Sequence, residues 1–210
     1  MKTLFSIILF QAVHLLADDP GYVEVMTRSI DSIYQAQTME ELQASINAMQ
    51  RIGNAEKSKW EPHYYVAFGY ILMANLEQEG NKKDAFLDLA GASLGQSTKL
   101  NENESEIVAL DGFIQMIRVT VDPAARGAQY SGKAFQAYQK ALALNPENPR
   151  ALGLMAQMQY GMAQFFKAPT DEACAMARKA LEKFDTYKSD NPVGPQWGRG
   201  MTEGLLKNCK

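Results

Sequence analysis

Residues 133–157 read KAFQAYQKALALNPENPRALGLMAQ, and they contain two helical segments separated by a sharp turn. Asn145-Pro146 ends the first segment, because the residue before a proline is pushed out of the helical region. Asn148-Pro149 begins the second with an N-cap and a proline at the first helical position. Small, large and small side chains share one face of the first segment, so that a neighbouring helix can approach closely, at Ala134, Tyr138 and Ala141.

Positions in the first helix of each pair repeat along the chain at spacings of 43 and 44 residues. Tyr65, Val108 and Leu152 hold equivalent places in three first helices. The pattern resembles the tetratricopeptide repeat, whose helix pairs are too thin to bury their own apolar faces and form a core by stacking. The unit is longer than the family's 34 residues, and we expect the excess between the two helices of each pair. Another α-solenoid or a plain helical bundle is the alternative.

Helical spacing of apolar residues dominates the chain, and strand signals are almost absent. The sequence therefore predicts an all-α fold, an α-solenoid of about four tetratricopeptide-like antiparallel helix pairs with a C-terminal capping helix. The predicted pairs are 23–35 with 39–55, 62–79 with 83–100, 106–121 with 130–144, and 149–166 with 171–187, followed by a capping helix near 197–209.

The N-terminal stretch has the features of a signal peptide. An apolar run at residues 4–16 (LFSIILFQAVHLL) has 13 residues, whereas a spanning helix needs about 20. The change to Ala17-Asp18-Asp19-Pro20 predicts cleavage near Ala17, which leaves one helical domain at 18–210. A membrane anchor or a core helix is the alternative. No cysteine precedes Cys174, so a lipoprotein anchor is excluded, and we expect a periplasmic or secreted protein without stable membrane insertion.

Several stretches also resemble exported tetratricopeptide-like proteins of Bacteroidetes-type bacteria, a group without a defined biochemical activity. The resemblance covers nearly the whole chain and implies a periplasmic or secreted helical scaffold. It rests on residues 59–65 (KWEPHYY), 121–127 (VDPAARG), 144–146 (LNP), 195–198 (PQWG) and 205–209 (LLKNC).

Charge and residue inventory exclude several functions. The chain has 21 basic and 24 acidic residues, with no run of Lys or Arg longer than two, so nucleic acid is not an expected partner. Once the signal peptide is removed, His63 is the only imidazole, and no G-x-S-x-G motif accompanies it, so a hydrolase triad is not expected. One histidine and two distant cysteines do not make a zinc site. We predict a non-enzymatic protein without metal or cofactor.

The first helix of each tetratricopeptide pair lines a concave groove. We therefore predict a cell-envelope scaffold that binds a peptide or protein partner there through large, adaptable side chains. In the alternatives the inter-helix insertions fill the groove, or the chain is a structural subunit of an envelope complex without a free groove, or an enzyme of unrecognised type. The 43/44 register places on the groove Val66, Tyr70, Met73, Ala109, Phe113, Met116, Gly153, Gln157 and Tyr160.

Two residues in or beside the breaks between the predicted helices have candidate roles. Arg126 lies beside Gly127 in an expected loop, where it could contact an anionic group or pair locally. Trp197 is expected to cover the exposed end of the solenoid, with stacking on a ligand as the alternative. Other aromatic residues are predicted to belong to the core, at Trp60, Tyr64 and Tyr65.

A disulfide is predicted between Cys174 and Cys209. If a helix ending near Lys188 and another starting near Pro195 are antiparallel neighbours, both cysteines lie about 21 Å from the turn, at the same level. The bridge also requires both side chains to point into the seam between the helices. Two free thiols are the alternative.

Overall fold

The computed structural model describes residues 19–209, and the predicted signal peptide at 1–17 lies outside this range. Within the described range the chain forms helices and no strand. The helices are α1 Pro20–Gln35, α2 Met39–Ala55, α3 Glu61–Leu76, α4 Gly80–Leu100, α5 Ser105–Val121, α6 Pro123–Leu144, α7 Pro149–Phe165, α8 Asp171–Thr186 and α9 Arg199–Leu206.

The architecture is an α-solenoid of four helix pairs with a short C-terminal helix, as the sequence predicts. Consecutive helices pack against each other, and the first helices α1, α3, α5 and α7 also contact one another. The first helices therefore form one continuous row, the inner row, and the second helices pack outside it. The helix α9 packs on α7 and α8 and closes the C-terminal end.

Local capping fixes several helix ends at the predicted positions. Thr38 and Glu41 form a capping box, in which the Glu41 backbone N–H donates to the Thr38 hydroxyl over 3.2 Å. The Asn148 side chain accepts from the backbone N–H of Ala151 and donates to the Ser105 hydroxyl at 2.8 Å. Because Ser105 belongs to the preceding pair, the turn before α7 is also tied to its neighbour.

The helix α6 begins seven residues earlier than predicted. Its first two turns replace the expected loop, because Asp122 caps the helix by accepting from the backbone N–H of Ala125 at 3.0 Å. Pro123 occupies the first helical position, where its fixed backbone angle suits a helix. The length beyond 34 residues in this unit therefore lies in a longer helix, and Arg126 lies on that helix.

Close packing of the inner row on the second helices requires glycine at two equivalent positions, one facing the preceding pair and one facing its own pair. A Cβ atom on Gly69 would lie 2.6 Å from Cγ1 of Ile46. A Cβ atom on Gly112 would overlap the ring of Tyr138, which is completely buried. The missing side chains thus allow each first helix to approach a neighbouring second helix.

The structure confirms the predicted disulfide. Cys174 and Cys209 are bonded, with their Cα atoms 5.8 Å apart and a sequence separation of 35 residues. The bond joins α8 to the residues that follow α9, and so holds the C-terminal helix against the last pair.

Candidate functional site

The segment between α8 and α9, residues 187–198, lies across the inner row, and we call it the strap. The Tyr65 hydroxyl donates to the carbonyl of Val193 at 3.0 Å, and the backbone N–H of Gln196 donates to the Tyr34 hydroxyl at 3.3 Å. Asn191 donates to the buried carboxylate of Glu61 at 2.8 Å. The strap therefore contacts α1 and α3 of the inner row.

Trp197 anchors the strap between two helices of the inner row. Its ring stacks on Phe68 at 4.7 Å and on Phe113 at 5.6 Å between centroids, and its Nε1 donates to the Tyr64 hydroxyl at 3.0 Å. The side chain is 9% exposed. The prediction that Trp197 covers the end of the solenoid is wrong, because the strap carries the ring into the core.

A buried ion pair supports the same end of the strap. Two Arg150 nitrogens donate to the Glu106 carboxylate at 2.7 Å each, and the guanidinium lies 5.1 Å from the ring centre of Tyr187. Burial opposes the charge of Arg150, but the hydrogen bonds with Glu106 raise its pKa above the ordinary value, so the cation is retained. Arg150 also donates to the Trp197 carbonyl at 3.4 Å.

Sequence reasoning missed this pair. Glu106 and Arg150 are 44 residues apart, so opposite charges stand one repeat apart in the register. Opposite charges at this spacing are the feature of the sequence from which the ion pair could have been predicted.

The predicted groove residues fall into two groups. Val66, Tyr70, Met73 and Phe113 are buried in the core, together with Ala109 and Gly153. Met116, Gln157 and Tyr160 remain partly exposed. A ligand can therefore reach the predicted groove only toward its C-terminal end, beyond the strap.

An open cavity lies at that end, and we call it the cleft. It has a volume of about 870 Å³ and lies between the end of α5, the first turns of α6 and the second half of α7. Its lining is mainly apolar, and none of these lining residues, all in the described part of the chain, is charged, histidine or cysteine. The larger side chains are Met116, Met158, Met162, Phe165 and Phe166.

Two glycines widen the cleft. Gly127 on α6 and Gly161 on α7 both line it, and a Cβ atom at either position would have no atom within 4 Å. The mouth carries Phe165 and Phe166, which are 57% and 69% exposed, with ring centres 5.1 Å apart. Ligand cavities typically measure about 300 to 1,000 Å³ with mostly apolar linings, so the cleft has the size and lining of a site for an apolar ligand. The register did not predict the glycines or the phenylalanines.

Arg126 lies on α6 beside the cleft but does not line it. Its guanidinium pairs with Asp84 at 2.8 Å, and Asp84 also pairs with Arg118 at 3.2 Å. The hydrogen bond with Asp84 raises the pKa of Arg126. Within the described structure Arg126 is thus held by a neighbouring carboxylate on α4.

A second cavity, of about 580 Å³, lies beside the strap and is polar. Two of its carboxylates already have partners, since Glu106 binds Arg150 and Glu147 binds Lys183 at 2.6 Å. Burial raises the pKa of a third, Glu104. The cavity thus holds internal ion pairs, and the cleft is the better ligand site.

Other possible sites are weak in the described range. No group of three or more histidine, cysteine, aspartate or glutamate side chains between residues 19 and 209 could hold a metal ion. His63 lies at the start of α3, and burial lowers its pKa. No helix described by the structure has the length and apolar character needed to cross a membrane.

No protein-family model and no curated protein matches the chain. The chain is similar to the solved structure of the HusA haemophore from Porphyromonas gingivalis, with a TM-score of 0.79 and 29% sequence identity. That match covers 90% of this chain and 92% of the haemophore. The crystal structure of MamA protein matches with 17% identity over 80% of this chain and 98% of MamA, at a TM-score of only 0.33. The first match supports the resemblance to helical proteins of Bacteroidetes-type bacteria.

Proposed function

We propose that this protein binds a planar tetrapyrrole of the haem class in the cleft and carries it outside the cytoplasm. The observation that carries the proposal is an open, apolar, uncharged cleft in a chain that is similar to a haemophore over nearly its whole length. The tetrapyrrole is cargo, and the proposal assigns no chemical reaction to the protein.

The side chains of the cleft suit a flat aromatic ligand. Aromatic rings favour offset stacking or edge contacts with other π-systems, and Phe165 and Phe166 present such surfaces at the mouth. Met158 and Met162 supply flexible, polarizable side chains that adapt to a rigid ligand. An ionised carboxylate cannot enter an uncharged apolar cleft without a large desolvation cost. The carboxylates of the tetrapyrrole therefore remain in water at the mouth.

The proposed site of action is the periplasm or the exterior of the cell. The Cys174–Cys209 disulfide supports this location, because disulfides persist mainly in oxidising compartments. The predicted signal peptide at 1–17 supplies the route of export in this proposal.

The proposal is tested by titrating the protein with haem and with metal-free protoporphyrin, using absorbance and fluorescence. The informative variant is Gly161→Leu. A Cβ atom at Gly161 meets nothing within 4 Å, so we expect the new side chain to fill ligand space without disturbing the protein. Replacing glycine within a helix also favours folding by up to about 1 kcal/mol.

The matched control is Gly132→Leu. Gly132 is exposed on α6, a Cβ atom there would also have no atom within 4 Å, and the residue does not line the cleft. We expect the wild-type protein and Gly132→Leu to bind alike, and Gly161→Leu to bind at least about tenfold more weakly. Equal binding by Gly161→Leu would contradict the proposed site, and absence of binding to the wild type would contradict the function.

A peptide or protein partner is the second candidate, with the same cleft as its site. It is favoured by the exposure of Phe165 and Phe166, which an apolar segment of a partner would cover. Pull-down from an envelope extract with the wild type and Gly161→Leu separates the candidates. A partner that is retained only by the wild type, and is not displaced by saturating porphyrin, would favour this second candidate over the first.

A further inference from the structure

Ser131 lies at the inner end of the cleft. The residue lines the cleft and is only 6% exposed. Its hydroxyl makes no hydrogen bond with any other residue between 19 and 209. The buried serines Ser97 and Ser105 differ, since their hydroxyls donate to the carbonyls of Trp60 and Ala141 at 2.9 and 2.8 Å. Ser45, which is 8% exposed, also makes no hydrogen bond through its hydroxyl in the described range, but it does not line the cleft.

The Ser131 hydroxyl keeps an opening toward the cleft. No side-chain oxygen or nitrogen that is sealed from solvent in the described chain lacks a partner, so an unpartnered hydroxyl cannot be sealed. The cleft is the space that Ser131 lines. Exposure falls along α6 from Ala124 through Gly127 to Ser131, which places the hydroxyl at the deep end, away from the mouth.

The uncharged lining of the cleft and the two carboxylates of a tetrapyrrole together determine which edge of the ligand enters first. The lining carries no charge, so the edge with two carboxylates faces the mouth and water. The opposite, neutral edge enters first and reaches Ser131. A serine hydroxyl both donates and accepts, and an apolar edge would leave it unpaired after water is displaced.

We infer that Ser131 is a specificity-determining residue, which hydrogen-bonds a neutral oxygen substituent on the inner edge of the tetrapyrrole. The inference rests on the proposed function: among tetrapyrroles that bind in the cleft, those with a hydroxyl or carbonyl on the edge opposite the carboxylates bind more tightly. A site that hydrogen-bonds such a group discriminates against an analogue that lacks it.

Two metal-free porphyrins form a matched pair for the test. Haematoporphyrin and protoporphyrin share the macrocycle and the carboxylates, and differ in having hydroxyethyl or vinyl groups on the neutral edge. Dissociation constants for both are measured with the wild type, with Ser131→Ala and with Thr120→Val. Thr120 also lines the cleft, but its hydroxyl already donates to the Ile117 carbonyl at 2.7 Å, so Thr120→Val is the control for loss of a hydroxyl.

The expected readout is the preference for haematoporphyrin over protoporphyrin. In Ser131→Ala this preference falls about five- to tenfold relative to the wild type, as expected for one hydrogen bond. In Thr120→Val it stays unchanged. An unchanged preference in Ser131→Ala, with both porphyrins bound, overturns the role of Ser131 and leaves the proposed function standing. Failure of the wild type to bind either porphyrin overturns both.

Discussion

Replacing Trp197 tests whether the strap is part of the core. In Trp197→Ala the protein loses an indole that is 9% exposed and stacked between Phe68 and Phe113. Truncating a buried tryptophan to alanine costs about 3 to 5 kcal/mol, through lost transfer free energy and the cavity left behind. The Tyr64 hydroxyl also loses its hydrogen bond from Nε1. For a chain of this size the loss lowers the melting temperature by about 6 to 20 °C.

The assay is urea unfolding at 25 °C, followed by circular dichroism, with the slopes of the transitions compared. The control is Trp197→Phe, which keeps an aromatic ring in the stack and loses the N–H donor, so we expect about 1 to 2 kcal/mol. Porphyrin binding by the folded variants stays near the wild-type value, because Trp197 does not line the cleft. A loss below about 1 kcal/mol in Trp197→Ala would refute the packing of the strap.

Three other changes test the remaining contacts. Replacing Cys174 and Cys209 together by serine removes a cross-link across 35 residues. We expect the free energy of unfolding to fall by about 3 to 4 kcal/mol, and an unchanged value would mean that the disulfide does not stabilise the protein. Glu106→Gln leaves the guanidinium of Arg150, which is 2% exposed, without its counter-charge, and we expect a loss of about 3 to 5 kcal/mol in the free energy of unfolding in urea. Its control is Asp185→Asn at the exposed pair with Arg199, which should leave the free energy of unfolding nearly unchanged. Burial lowers the pKa of His63, so the unfolded chain binds its proton more readily and stability falls as the pH drops below about 6.5. His63→Gln should reduce the loss of melting temperature between pH 7 and pH 5, and an unchanged pH dependence would contradict this assignment.

The features that the sequence predicts correctly depend on local chemistry or on register. Thr38 with Glu41 and Asn148 with Pro149 fix helix ends through contacts within a few residues. The disulfide is predicted from the level of two cysteines on antiparallel helices; the pairing is confirmed, although α9 starts only at Arg199 and Cys209 lies after its end. The start of α6 was missed because the residues after Pro123 were assigned to a loop, although Asp122 and Pro123 are themselves a helix start signal.

The strap could not be predicted from local patterns. Trp197 contacts Tyr64, which is 133 residues away, and such long-range packing leaves no periodic trace in one sequence. The strap also explains why Phe113, on which Trp197 stacks, is buried at a register position that lines a groove in open repeats. Met116 and Gln157, which are also register positions of the predicted groove, do line the cleft. The shape of the cleft depends on the extra turns of α6 and on Gly127 and Gly161, which the periodicity of the sequence does not reveal.

Methyl resonances of the methionines test most directly whether a tetrapyrrole binds in the cleft. The side chains of Met116, Met158 and Met162 line it, whereas Met26 and Met49 are buried at the N-terminal end, in α1 and α2. A porphyrin ring shifts the resonances of nearby methyl groups strongly through its ring current. With protein labelled at the methionine methyl carbons, added protoporphyrin should shift the three cleft resonances and leave those of Met26 and Met49 in place. Binding without a shift at any of the three cleft methionines, or with the largest shifts at Met26 and Met49, would contradict the proposed site.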